Sequence, residues 1–142
     1  MDAKLAVTLI EQSPDSVIFA GLDGKIVVWN PESERIFGFT AAEAIGASLD
    51  IIVPEQFREA HWTGYDRALA NKETKYKGQA LTTRAMRKDG ETIYVDLGFG
   101  IMLDDAGEAI GAVATARDVT ERFHRDRETR RELRELKAAA KG

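Results

Sequence analysis

The chain has no cysteine among its 142 residues. Disulfides, thiolate metal centres, iron–sulfur clusters and cysteine nucleophiles are all excluded, which leaves histidine, carboxylate, tyrosine and methionine as metal ligands. Histidine is almost as scarce. His61 and His124 are the only two, and His124 lies in a charged tail that turns it toward solvent, so His61 is the single imidazole available for chemistry in the body of the chain. No glycine-rich phosphate loop is present, because Gly24, Gly90 and Gly107 each fall in a turn signal. No apolar run approaches the roughly 20 residues needed to cross a bilayer. The opening MDAKLAVTLIEQSP lacks the basic start, long apolar stretch and small-residue cleavage site of a secretion signal. A cytoplasmic location with no membrane partner is expected. Convergent titratable pairs are missing as well: the acids sit mainly in turns, as at Asp23, Asp89, Asp104 and Asp105, and no catalytic role is expected.

What is present is a composition of 44% hydrophobic and 31% charged residues, that of a globular domain. The formal charge of −4 is unevenly spread. Residues 117–142 hold 9 Lys/Arg against 6 Asp/Glu, leaving 11 against 18 in residues 1–116. An acidic body argues against nucleic acid as a partner, which needs clustered positive charge. The mixed signs of the tail read as a solvated helix.

Leu5, Leu9 and Ile10 recur at helical spacing, and Ser13-Pro14 stops that helix. SVIFAGLDGKIVVWN gives two β-branched runs around Asp23-Gly24, a hairpin signal. Asn30 then caps a helix over PESERIFGF, with Pro31 in its first turn. Thr40 and Glu43 have capping-box spacing for a short helix over 41–45, and SLDIIV makes another helical turn. Pro54 is expected to open a longer helix running to about Asn71. From Tyr76 the texture becomes β: YKGQALTTRAMR, ETIYVDLGFGIMLD and EAIGAVATARDV, joined by turns at Lys88-Asp89-Gly90 and Asp105-Ala106-Gly107. The order predicts an α+β domain with one five-stranded antiparallel sheet and short helices on one face. The expected partition is a flanking helix over 1–12, the domain over 13–119 and a C-terminal helix over 120–142.

That order, with NPESERIFGFTAAEAIGAS, RKDGETIYVDL and the closing ARDVTER, resembles the PAS sensory domain family over about residues 12–122. The resemblance implies a pocket between sheet and helices, and a flanking helix that carries a signal to an output domain or a separate partner. It leaves the ligand open among haem, flavin, small metabolites and none. Blue-light flavin domains and coumarate photoreceptors depend on a reactive cysteine, which this chain lacks. The stretch from Pro54 is most similar to the haem-binding PAS domains of nitrogen-fixation oxygen-sensor kinases and of a haem-regulated phosphodiesterase, in which a ligating histidine follows a proline by seven residues, as His61 follows Pro54.

That resemblance implies b-type haem for diatomic gas sensing, with His61 as the iron ligand and Leu97 and Phe99 on the distal side. The expected cofactor-binding set is His61, Gly64, Tyr65, Gln79, Leu81, Leu97 and Phe99. Leu81 stands where the family has a distal arginine, and Gln79, two residues back on the same strand face, offers a substitute donor. Otherwise the pocket is apolar and suited to carbon monoxide or nitric oxide. Met86 and Met102 carry thioethers able to ligate iron, but methionine beside a β core is usually packing.

The residues alone agree. Phe57, His61, Gly64, Tyr65 and Ala68 share one helix face, and Gly64, one turn past His61, leaves room for a flat ring, although glycine costs a helix about 1 kcal/mol relative to alanine. The alternative is a cofactor-free dimerisation module whose pocket is filled by its own side chains. In either case Leu5, Leu9 and Phe123 are expected to be buried in a homodimer. Val119, Phe123, Leu133, Leu136 and Ala140 give the tail helix apolar points that charged residues interrupt, so a continuous coiled coil is only weakly encoded.

Overall fold

The two β-branched runs around Asp23-Gly24 pair as β1 (Ser16–Gly21) and β2 (Ile26–Trp29). The computed structural model describes residues 1–74 and 80–141, so Gln79 and the strand start expected at Tyr76 lie outside the described residues. Gly24 has φ of 75°, and a Cβ there would run into the Trp62 indole, so the turn requires glycine for two reasons.

α1 (Ala3–Glu11) is capped by Asp2, and α2 (Pro31–Phe37) by Asn30. α2 is two residues shorter than expected, because Gly38 turns left-handed and its N–H closes the helix on the Glu34 carbonyl. α3 (Ala41–Ala44) starts from the expected capping box, and Ile45 is already extended.

The long helix starts later than the sequence suggests. Pro54 has ψ of 139°, outside the α region, so Glu55–Phe57 first form a 3₁₀ turn, and the α-helix α4 spans Arg58–Asn71. Phe57 is therefore the N-cap and not part of the buried helix face. Its ring is 40% exposed and lies 5.8 Å from the Arg84 guanidinium.

β3 (Leu81–Met86), β4 (Thr92–Leu103) and β5 (Ala109–Asp118) form an antiparallel meander. β5 also pairs with β1, giving the order β2-β1-β5-β4-β3. Short helices pack over this sheet, and Ile18, Ala20, Ile26, Ile36, Phe37 and Val95 form the centre of the core. The turn before β4 also closes α2. Lys88 donates its N–H to the Phe37 carbonyl at 2.9 Å and Arg87 donates Nη1 to that of Ile36 at 2.5 Å, satisfying two carbonyls that a helix end otherwise leaves unpaired.

α5 (Thr120–Lys141) is one unbroken helix with no buried residue, and α1 likewise buries none. No described helix is long and apolar enough to cross a membrane.

Candidate functional site

Trp62 fixes the start of α4. Its Nε1 donates to the Asp50 carboxylate at 2.7 Å, and its ring packs against the Gly24 turn. One turn on, Tyr65 is 3% exposed and donates its hydroxyl to the carbonyls of Gly21 (2.6 Å) and Ala20 (3.2 Å). Burial, with lesser contributions from Asp23 and Asp66, pushes this phenol up to about 12. These two anchors set the rotation of the helix. His61 lies edge-on to Trp62 at 4.6 Å and is 5.9 Å from the Tyr65 ring.

Between α4, β3 and β4 lies a cavity of about 570 Å³, within the range of small-ligand sites. His61, Gly64, Tyr65, Leu81, Leu97 and Phe99 all line it, so every described member of the expected set meets there. Ala68, expected on the same helix face, lines it too, whereas the sequence reading missed Ala60, Arg67 and Asn71, together with Glu73, Thr74 and Thr83. Ala60, Arg67 and Asn71 recur in phase with Gly64 at helical spacing, a signal masked by the charge of Arg67. Thr74 carried no signal, since it follows the left-handed end of α4 at Lys72.

Two buried side-chain atoms have no hydrogen-bond partner among the described residues: His61 Nδ1 and Thr74 Oγ1. Both residues line the cavity, and each such atom costs about 1–3 kcal/mol when left unpaired. Burial holds the His61 imidazole below its usual pKa, only partly opposed by Asp50. Burial thus favours the neutral ring, which has a nitrogen lone pair to offer. A Cβ on Gly64 would meet nothing within 4 Å, so the missing side chain adds directly to the free space. Among the described residues no three His, Asp or Glu side chains group to hold a bare ion.

Alternation along β4 connects this cavity to the tail. Leu97 and Phe99 face the cavity, while Tyr94 and Asp96 point to the opposite face. There Tyr94 stacks on Phe123 of α5, with centroids 3.8 Å apart and planes 11° from parallel. Asp96 pairs with Arg122 at 2.9 Å, the Tyr94 N–H bonds Thr120 Oγ1, and Val119 returns its N–H to the Tyr94 carbonyl. His124 is exposed and edge-on to Tyr94.

The chain belongs to the PAS fold family, whose model matches residues 10–124. It is 28% identical over 131 residues to the sensor protein FixL of Bradyrhizobium diazoefficiens, covering 92% of this chain and 25% of that protein. To the oxygen sensor protein DosP of Escherichia coli it is 22% identical over 121 residues, covering 85% of this chain and 15% of that one. Among solved structures, the PAS domain of a protein from Colwellia psychrerythraea matches with a TM-score of 0.71 at 22% identity, over 83% of this chain and 97% of that one. An RNA-binding light-oxygen-voltage receptor matches with a TM-score of 0.72 at 23% identity, over 96% and 37%. The structural matches establish the fold, and the chain spans a quarter or less of the length of these two curated relatives.

Proposed function

We propose that this PAS domain binds b-type haem through His61, senses a diatomic gas, and passes the change through β4 to α5. One observation carries the reading: a half-buried imidazole, whose Nδ1 is buried and has no partner among the described residues, lines a 570 Å³ cavity beside a glycine that leaves the space open. A metal that arrives in its own macrocycle needs only one ligand of this kind from the protein, which fits a site where, among the described residues, no three His, Asp or Glu side chains group. Similarity to FixL and to DosP, an oxygen sensor by name, supports the same choice.

Bound haem would supply an iron coordination position for the gas. The chain's own residues do the rest. Leu81, Leu97 and Phe99 form an apolar wall that excludes water from the bound group. Tyr65 contributes its ring only, since its hydroxyl is committed to β1. Arg67, on the exposed side of the cavity, provides positive charge for the acidic groups of the ligand. The apolar wall residues donate no hydrogen bond, so a gas held by them alone is one that does not depend on such a bond.

Leu97 and Phe99 share a strand with Tyr94 and Asp96, so a displacement of the cavity wall bears on the root of α5. The shift is limited to the difference in ligand affinity between the two arrangements. A homodimer is part of the proposal: Leu5, Leu9, Leu133 and Leu136 are 48%, 55%, 52% and 67% exposed, apolar surface that a second copy would cover. This exposed surface also favours the second reading, a dimerisation module without cofactor. The output is carried by a further domain or a separate partner.

The test is the absorption spectrum of the purified protein with haemin added, beside His61→Ala. The proposal expects an intense Soret band that the substitution abolishes or shifts. Absence of specific uptake by the unsubstituted protein would leave the dimerisation reading.

A further inference from the structure

Thr74 lies three residues past the end of α4, beyond the helix and outside the stripe that presents His61. Its hydroxyl is buried and unpartnered among the described residues, yet the residue lines the same cavity. A threonine hydroxyl has an easy route to satisfaction in a helix or turn, by bonding a carbonyl three or four residues back, as Thr63 does with Glu59 and Thr8 with Lys4. Thr74 makes no such bond.

The surroundings indicate which chemistry completes it. Toward His61 the lining is aromatic and aliphatic, from Tyr65, Leu97 and Phe99. Toward the C-terminal end of α4 it becomes polar, with Arg67, Asn71 and Glu73, all exposed. The cavity thus has an apolar end at the imidazole and a polar rim of Arg67, Asn71 and Glu73 near Thr74. An amphipathic ligand fits this gradient with its apolar body beside His61 and an ionised oxygen at the other end. Glu73 is exposed and can turn into solvent, and Arg67 is the lining cation that offsets an anion.

We propose that Thr74 is a ligand-recognition residue whose hydroxyl donates a hydrogen bond to a carboxylate of the group bound in the cavity. The assignment rests on the haem reading, in which that carboxylate is a propionate of the macrocycle. It makes Thr74 a determinant of which porphyrin is accepted, separate from the iron ligand.

The experiment titrates haemin, and in parallel its dimethyl ester, into the unsubstituted protein, Thr74→Val and Thr74→Ser, following the Soret band, with thermal melting of each ligand-free protein. A hydrogen bond to a charged acceptor predicts that Thr74→Val raises the half-saturating haemin concentration roughly tenfold without moving the Soret maximum. Thr74→Ser retains most of the affinity, and the dimethyl ester narrows the gap between Val and Thr. Removing an unpaired buried hydroxyl in favour of an isosteric methyl predicts a ligand-free melting temperature for Thr74→Val that is equal or higher. Equal haemin affinity for Val and Thr overturns the assignment while leaving His61 ligation intact. A ligand-free Val variant that melts several degrees lower overturns it too, by showing that the hydroxyl already has a structural partner. No Soret uptake by the unsubstituted protein overturns the haem reading and this assignment together.

Discussion

The two ends of the sheet treat their buried polar groups in opposite ways. At the β1–α2 end, Asn30, Ser16 and Ser33 are all 0% exposed and fully engaged. Asn30 Oδ1 accepts from the N–H of Val17 (2.9 Å) and Ser33 (3.1 Å) and from the Ser33 hydroxyl (2.7 Å), while Nδ2 donates to the carbonyls of Ile10 and Asp15. The side chain ties α1, the start of β1 and the start of α2 to a single point. At the α4–β3–β4 end, by contrast, His61 Nδ1 and Thr74 Oγ1 are buried with no partner among the described residues, on two residues that line the cavity. A fully satisfied network fixes a structure; a partly satisfied one marks a place where something else belongs. One end holds the fold, and the other is where the proposed ligand would sit.

Asn30→Ala breaks the first half of this contrast and carries the largest expected effect. It strands several buried donors and acceptors together, so a loss of about 3 kcal/mol or more is expected in urea or guanidinium unfolding. A loss under about 1 kcal/mol would show that the node is dispensable.

Tyr65 sits where the two regions meet, and Tyr65→Phe is expected to cost about 1 kcal/mol at neutral pH through the lost bonds to Gly21 and Ala20. Its pH signature is more specific. The folded phenol titrates at about 12 against the usual 10.0, so its contribution is fully present below pH 10 and is lost as pH rises through about 12. The unsubstituted protein should lose stability across that window more steeply than Tyr65→Phe, as followed by unfolding at stepped alkaline pH. Parallel curves would contradict the assignment.

Gly64→Ala sharpens the other half. A methyl there meets nothing within 4 Å and relieves the helix of a glycine, so the ligand-free protein should gain roughly 0.5–1 kcal/mol while haemin uptake weakens. A gain in stability with unchanged uptake would place the bound group elsewhere. The smallest effect is expected for Arg122→Ala, which removes a largely exposed ion pair with Asp96 worth well under about 1 kcal/mol, yet should loosen the first turns of α5 in amide exchange.

The β1–β2 hairpin, the capping box at Thr40 and the β4 and β5 runs were all legible in the sequence because each depends on short-range rules of turn chemistry, capping or period-two alternation. The cavity's aliphatic and aromatic lining was legible through helix periodicity and the family resemblance. What escaped depends on distant partners. Asn30 reads as a helix cap, but its amide also reaches residues 15 and 20 positions away in sequence. Phe57 belongs to the apparent helix face only if Pro54 opens an α-helix, and the 3₁₀ turn removes it. Arg87 and Lys88 look like ordinary turn residues until the fold brings them to the end of α2. Thr74 lies beyond any periodic pattern.

The most direct test of this division is amide hydrogen exchange of the whole chain with and without haemin. The account predicts added protection in α4 and β4 and a change at the root of α5, with the amides around Asn30 unaltered. Protection spread evenly over the sheet, or concentrated at the β1–α2 end, would contradict it.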